Sequence, residues 1–379
     1  MEIPSTVRPN TLHGLAQAIV AVPYQIGYYP TASLVALCMQ AGQMAASAPI
    51  QRGQVVLTAR VDLSGPQEQE QVLAAIEPAL ARADTRMVVF IAFEQGRGDP
   101  CNTSELLGQA TALAHSHGAV VMAAARVRGR RWHLVTNPES ARSADASGLA
   151  GCAQAREPDG RWQDLPAAED VPMVAEYVLA GRSPAPDRRS VEGLLRPTCP
   201  ELARSVAQLH LETTVSARAE QMGTQETRLR AAQLLSVLIN GGVEQSEPSG
   251  LDAVDLVATI DALDDLRFRD SVLSAIIPCS TDSDDLVDAE MTRMVSAAMP
   301  HPITIDTLAC VRLAQAAAYV PAERSAPWLS LVGYLAWQIG EGALANVAIA
   351  AARAADPRYS LARLVDMALS AAVAPPRPV

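Results

Sequence analysis

The hydrophobic pattern of this chain changes period once, and that change constrains the architecture more than any motif does. Up to Thr136, compact or alternating apolar runs take turns with helically spaced stretches; from Glu169 onward nearly every segment repeats at helical spacing. Ser33 to Met39 is a short apolar run, and Gln54 to Leu63 is rich in β-formers and ends in alternation with Arg60 and Asp62 on one face. Pro66 to Ala83 has helical spacing with acids early, after Ser64 as a cap. Arg86 to Phe93 reads as a buried strand, Asn102 to His117 as a helix closed by Gly118, and Ala119 to Arg126 as a strand. Arg130 to Thr136 pairs with that strand through an Arg128-Gly129 turn. This order implies parallel crossovers with a hairpin at each end, so the sheet is mixed.

Residues 137 to 170 are rich in Ser, Ala, Gly and Pro without periodicity and read as a junction. Helices are then predicted over Glu169–Gly181, Asp187–Leu195, Pro200–Asn240, Leu251–Leu263, Asp264–Ile277, Ser283–Met299 and Ile305–Tyr319, with three more up to Val373. The tail from Pro375 cannot continue a helix. The expected fold is therefore a mixed α/β domain, a partly parallel sheet flanked by helices, over residues 1–136. A junction follows over 137–168, then an all-α, acidic helical domain over 169–379.

Chemistry is limited by a missing side chain: none of the 379 residues is lysine, and all 30 basic residues are arginine. A P-loop, a protein-kinase site and a Schiff-base enzyme each need an ammonium group, so none can be built. Arginine does not titrate in the accessible range and cannot act as a base. The six cysteines are far apart without a CxxC pair and read as reduced cytosolic thiols, several of them core fillers. The N-terminus shows no export signal, and the longest apolar run, Ala326 to Trp337, is shorter than the roughly 20 residues a bilayer needs. A soluble, cytoplasmic protein is expected.

The net charge of −11 divides as −1 before Pro166 and −10 from there on. Thirteen acids lie between Glu244 and Glu290, against Arg267 and Arg269 alone. Such a run is either a solvated helical face or a docking surface for a basic partner, and it repels phosphate backbones.

Several fragments resemble catalytic or metal motifs, each beside an ordinary reading. Asp284, Asp285 and Asp288 match DDxxD, yet acids in a first helical turn are stabilised by the macrodipole without a ligand. His210-Leu211-Glu212 with Pro278-Cys279 matches part of a zinc-deaminase pattern, but Asp282 stands at the second cysteine position. His115 and His117 end a helix, where histidines meet terminal carbonyls. Gly333, Ala345, Ile349, Ala352 and Pro357 fall at tetratricopeptide-like spacing without a second copy, as in a packed helical hairpin. Gly96 and Arg97, after the Met87 to Phe93 strand, are the nearest approach to a phosphate-cradling loop. Tyr28 and Tyr29, between Gly27 and Pro30, are either a plug on the sheet edge or part of a ligand or partner site.

Pro23-Tyr24, Gly27-Tyr28, Pro30 and Ser33-Leu34-Val35, followed by Thr58 to Asp62, resemble the opening of an uncharacterised family of actinobacteria and their phages, domain of unknown function 4192. Gly129 to Trp132, Ala175-Glu176, Ala180-Gly181, Asp187-Arg188, Ala336-Trp337, Gly340 to Ala343, Asp356-Pro357 and Tyr359 to Ala362 extend the resemblance over nearly the whole chain. It implies no reaction and no cofactor. The chain departs from the family pattern at Ala32, where an acid is common, and at Asn137 to Ser140, where cysteines are.

The leading expectation is a non-catalytic interaction or regulatory protein acting through the acidic helical domain, on a protein partner or another copy of itself. The alternative is a small-molecule-binding protein or enzyme with its site at the strand ends. The third is a nucleic-acid-associated protein, for which the clustered Arg126, Arg128, Arg130 and Arg131 would supply the basic face. No catalytic residue, metal ligand or cofactor is assigned, and a nucleic-acid role is not expected of the helical domain. Ligand or partner contacts are expected at Tyr28, Tyr29, Ser33, Arg60, Asp62, Gly96, Arg97, Arg128, Arg130, Trp337 and Glu341.

Overall fold

The computed structural model of the chain describes residues 14–41, 53–63, 69–82, 84–95, 103–135, 162–212, 224–241, 250–277, 288–299, 303 and 305–375. The chain forms two compact units, Met1–Asp187 with Ser370–Ala374 and Arg188–Leu369 with Pro375–Val379.

The first unit is built on a six-stranded sheet: β1 (Ser33–Ala41), β2 (Gly53–Asp62), β3 (Met87–Phe93), β4 (Val120–Arg128), β5 (Arg131–Leu134) and β6 (Gln163–Asp164), in the order β2-β1-β3-β4-β5-β6. β3 and β4 are parallel; β1 is antiparallel to both β2 and β3, and β5 is antiparallel to both β4 and β6. The sheet is therefore mixed, as the alternating periods predict. All seven residues of β3 are buried, which explains its unbroken apolar sequence: a strand covered on both faces has no polar side to show.

Two helices, α2 (Gln69–Leu80) and α3 (Thr103–Ser116), carry the crossovers from β2 to β3 and from β3 to β4. Val72, Ile76, Leu106 and Leu107 pack on one sheet face against Leu34, Ala36, Cys38, Val88 and Phe90. The hairpin β4–β5 closes on Gly129 and Arg130, one residue later than the predicted turn, because β4 runs on to Arg128. Gly129 supplies the positive φ (59°) that a two-residue hairpin requires.

Two elements escaped the pattern reading. Leu15–Ile26 is a helix, α1, with Pro23 inside it. The proline lies in the last turn, so it removes a single ladder bond, and Gly27 at φ 87° ends the helix with its N–H on the Pro23 carbonyl at 2.8 Å. β6 lies in the predicted junction, whose residues 137–161 are outside the described set. A two-residue strand has no periodicity to detect; Leu165 N–H on the Arg130 carbonyl at 2.8 Å fixes its place. Helix α4 (Pro172–Leu179) packs on α1 through Ala21, Val171, Met173 and Val174, with Tyr24 stacked on Tyr177 at 6.3 Å.

The second unit is helical: α5 (Arg188–Gly193), α6 (Pro200–Glu212), α7 (Gln225–Asn240), α8 (Ala253–Leu263), α9 (Leu266–Ile276), α10 (Ala289–Ala298), α11 (Thr307–Ala317), α12 (Ala326–Gln338), α13 (Gly342–Ala355) and α14, Ser360–Ser370. Thr224, Asp265, Asp288 and Asp306 cap four of them through side-chain oxygens. The tetratricopeptide-like spacing resolves into a hairpin of α12 and α13. Gly333 on α12 leaves room for Ile349, and Ala345 and Ala352 are fully buried. Arg312 on α11 is buried, and its Nε and Nη2 donate to the Leu238 and Ile239 carbonyls at 2.6 and 2.9 Å, closing the end of α7. Among the described residues no helix is long and apolar enough to cross a membrane.

Candidate functional site

Strand register gathers the predicted residues of the first unit at one end of the sheet. Ser33 pairs with both Asp62 and Phe93, and Phe93 with Val127. The start of β1 thus lies level with the ends of β2, β3 and β4, where parallel strands of α/β folds present ligands. Two polar clusters occupy this end, on opposite faces.

The first contains Tyr28, Ser33, Arg60 and Asp62. The Ser33 hydroxyl is fully buried, donates to the Thr31 carbonyl at 2.7 Å, and accepts from Arg60 Nε and Nη2 at 3.0 and 2.8 Å. Arg60 Nη1 donates to Asp62 Oδ2 at 3.1 Å, Nη2 donates to Oδ1, and the guanidinium lies 5.3 Å from the Tyr28 ring centre. Every hydrogen-bonding position of the serine is taken, by the Thr31 carbonyl and the Arg60 guanidinium, so the group is a clamp across β1 and β2 and not a nucleophile. Tyr28 is buried and bridged to Ala185, whereas Tyr29 beside it is 48% exposed. Ala32, just before the serine, has φ 42°, a left-handed conformation that Asp and Asn adopt more readily than Ala.

The second cluster centres on Glu94, which follows β3 and was not singled out in the sequence. Its side chain is only 3% exposed. Arg126 Nε donates to Oε1, and Arg128 Nε and Nη2 donate to Oε2 at 3.0 and 2.6 Å. Arg126 Nη1 also reaches Ser104 Oγ, in the first turn of α3, at 3.2 Å. The Trp162 ring covers both guanidiniums, at 5.0 Å from Arg128 and 6.0 Å from Arg126, with His133 at 5.8 Å. Trp162 is anchored in turn, since Arg131 Nη2 donates to its carbonyl at 3.1 Å. The Arg128 side chain remains 40% exposed, and Arg130 and Arg131 are exposed beside it at the hairpin tip. A carboxylate directly after a buried strand, opposite Arg-x-Arg on one face of its neighbour, is the signal that could have found this group. Gly96 and Arg97 lie outside the described residues.

The remaining predictions fall on structural contacts. Trp337 meets Tyr334 at 5.9 Å and packs into the cluster of Ile349, Leu361 and Val365. Glu341 accepts from the Thr307 hydroxyl at 2.8 Å. Asp288 accepts from the Glu290 and Met291 amides, both at 3.1 Å, and these bonds hold its carboxyl below the ordinary range; residues 284–287 are outside the described set. His210 lies 3.9 Å from Glu323, Glu212 accepts from Gln208, and Cys279 is not among the described residues. His117 joins Glu77 at 3.1 Å, tying α3 to α2. Among the described residues no three His, Cys, Asp or Glu side chains gather as metal ligands. Burial pushes the Cys38 thiol up to about 11 and the Cys310 thiol to about 12, so neither is a ready thiolate.

The acidic run is more neutral than its sequence. Of its eight described acids, Asp255 pairs with Arg230, Asp261 and Asp264 with Arg324, Asp265 with Arg228, and Asp270 with Arg269. Three of those four arginines come from outside the run.

No curated protein and no solved structure matches the chain. A family model does match, over residues 16–376 and so across both units: it is that of the domain of unknown function DUF4192, and the chain belongs to that family.

Proposed function

We propose that the first unit binds a small anionic ligand, one carrying a phosphate or carboxylate group, at the ends of β3 and β4. The observation that carries this reading is Arg128. Its guanidinium is fixed on one edge by the buried Glu94 and on one face by Trp162, and it stays accessible. An arginine held in this way has already lost much of its rotamer entropy, so a ligand oxyanion meets a preorganised donor. Arg130 and Arg131 add positive potential at the same tip. Two further features favour binding over turnover: the clamped Ser33 and the two protonated thiols are unsuited to nucleophilic attack. Five of the eight described acids of the acidic run are already paired with arginines, which favours the strand ends over the helical unit.

Thermal shift and calorimetric titration against inorganic phosphate, pyrophosphate, citrate and nucleoside monophosphates test the reading. At least one anion should raise the melting temperature of the wild-type protein, and Arg128→Gln should lower its affinity about tenfold or more, as expected for a lost charged hydrogen bond. The reading fails if none of these anions binds, or if binding is undiminished in Arg128→Gln.

A further inference from the structure

Strand register places Trp162. Arg126 on β4 stands opposite His133 on β5, and Trp132 and Arg131 of β5 stand opposite Gln163 and Asp164 of β6, which brings Trp162 level with His133. Side chains level across paired strands share a face, so Arg126, His133 and Trp162 form one row, and Arg128 and Arg131 lie in the next. From the end of its row the indole leans inward. Its centre is 5.8 Å from the His133 ring, 6.0 Å from Arg126 and 5.0 Å from Arg128. These contacts lie on the side of the ring turned to the sheet, and its other side faces away. Helix α3 covers β3 and β4 on this face, and β5 and β6 extend past it. Trp162 is accordingly only half-buried.

Apolar packing alone does not account for this placement. Trp162 rests on two guanidiniums and on an imidazole whose Nδ1 is buried without a hydrogen-bond partner among the described residues. An unsatisfied buried nitrogen opposes folding, so a tryptophan held against it is not there for stability. The cations occupy one π-face and leave the other for a second planar group.

We propose that the anion held by Arg128 is the phosphate of a free nucleotide, whose base stacks on the outer face of Trp162. This inference rests on the anion-binding reading and names its ligand. Arg128 lies 5.0 Å from the indole centre, so a sugar can bridge a phosphate on its open edge to a ring stacked on the indole. Stacking on an aromatic side chain accepts any base, because every base has a π-face. A free nucleotide is favoured over a strand because a strand needs a track of cations. The cations of this site are confined to one hairpin, and Asp164 lies 3.8 Å from Arg131 beside them.

Calorimetric titration of the wild-type full chain with adenosine monophosphate and with ribose 5-phosphate separates the base from the phosphate. Adenosine monophosphate should bind at least about fivefold more tightly, the low end of what one stacked base contributes. Trp162→Leu should abolish that difference, and Trp162→Phe should keep most of it. If Trp162 only props Arg128, Trp162→Leu weakens both ligands alike and the difference survives, which overturns the proposal. Equal affinity for the two ligands in the wild-type protein overturns it without any variant and leaves the anion site standing. A single-stranded oligonucleotide that binds more tightly than the monophosphate also overturns it. If neither phosphate binds, the anion-binding reading falls with it.

Discussion

Helices α12 and α13 approach each other closely at Gly333, and adding a methyl group there tests the packing of the second unit. An ideal Cβ on Gly333 lies 2.6 Å from both Cγ1 and Cδ1 of Ile349 and 3.4 Å from the Ala345 carbonyl oxygen. Two opposed terms decide Gly333→Ala. Helix propensity favours alanine by about 1 kcal/mol, because glycine loses more backbone freedom on folding. Overpacking a filled core costs about 1–3 kcal/mol. Rotation about the outer bond of Ile349 moves only Cδ1, and moving Cγ1 requires a new χ1, which a β-branched side chain in a helix resists. Ile349 is 1% exposed and lies in the cluster with Leu361 and Val365, whose side chains would have to shift with it. The steric term therefore wins, and Gly333→Ala should destabilise the α12–α13 hairpin by about 1 kcal/mol net.

Because the chain has two units, a single unfolding curve is not interpretable as two-state, and hydrogen exchange read on α12 and α13 peptides is the suitable assay. Ile349→Ala alone should cost about 2–5 kcal/mol through its cavity, and the double variant should cost about 1–3 kcal/mol less than the sum, since the new methyl enters the vacated space. Stabilisation by Gly333→Ala, or strict additivity in the double variant, would refute the argument.

Arg312→Ala should destabilise the second unit by about 3 kcal/mol or more, since it orphans two buried carbonyls and leaves a cavity; Arg312→Lys should recover part of the loss, and fast exchange at the end of α7 is the readout. Stability should also fall in alkali. Cys38 and Cys310 start from an ordinary value of 9.0, and burial raises them to about 11 and about 12, so their contribution is intact below pH 9.0 and is lost as pH rises through those folded values. Denaturant midpoints measured from neutral pH upward should show this decline, and Cys38→Ala with Cys310→Ala should flatten it.

Some of this protein was legible because it is local. Periods of two and of 3.6 residues, glycines at turns and acids at helix starts placed most elements within a few residues. The shared face of Arg60 and Asp62 followed from their spacing alone. Helix α1 was not legible, since Pro23 and the tyrosines around Gly27 read as a turn, and only packing against α4 shows that the residues before them are helical. The site around Glu94 was hidden for a different reason. Glu94 and Arg128 are far apart in sequence and meet only because β3 and β4 lie parallel in one register.

By itself the sequence determined the fold class, a mixed α/β sheet followed by helices, and the exclusion of lysine chemistry, since hydrophobic period and side-chain inventory do not depend on how distant segments meet. Tertiary structure decided which charges remain available. Within the run from Glu244 to Glu290 the chain looks strongly acidic, yet Arg228, Arg230 and Arg324 arrive from outside it and pair with four of its acids. Conversely, the arginine hairpin looks uniformly basic, but Glu94 and Trp162 fix two of its guanidiniums and leave Arg128 partly open. An ion pair is a relation between positions that folding brings within about 4 Å, and composition along the chain has no coordinate for it.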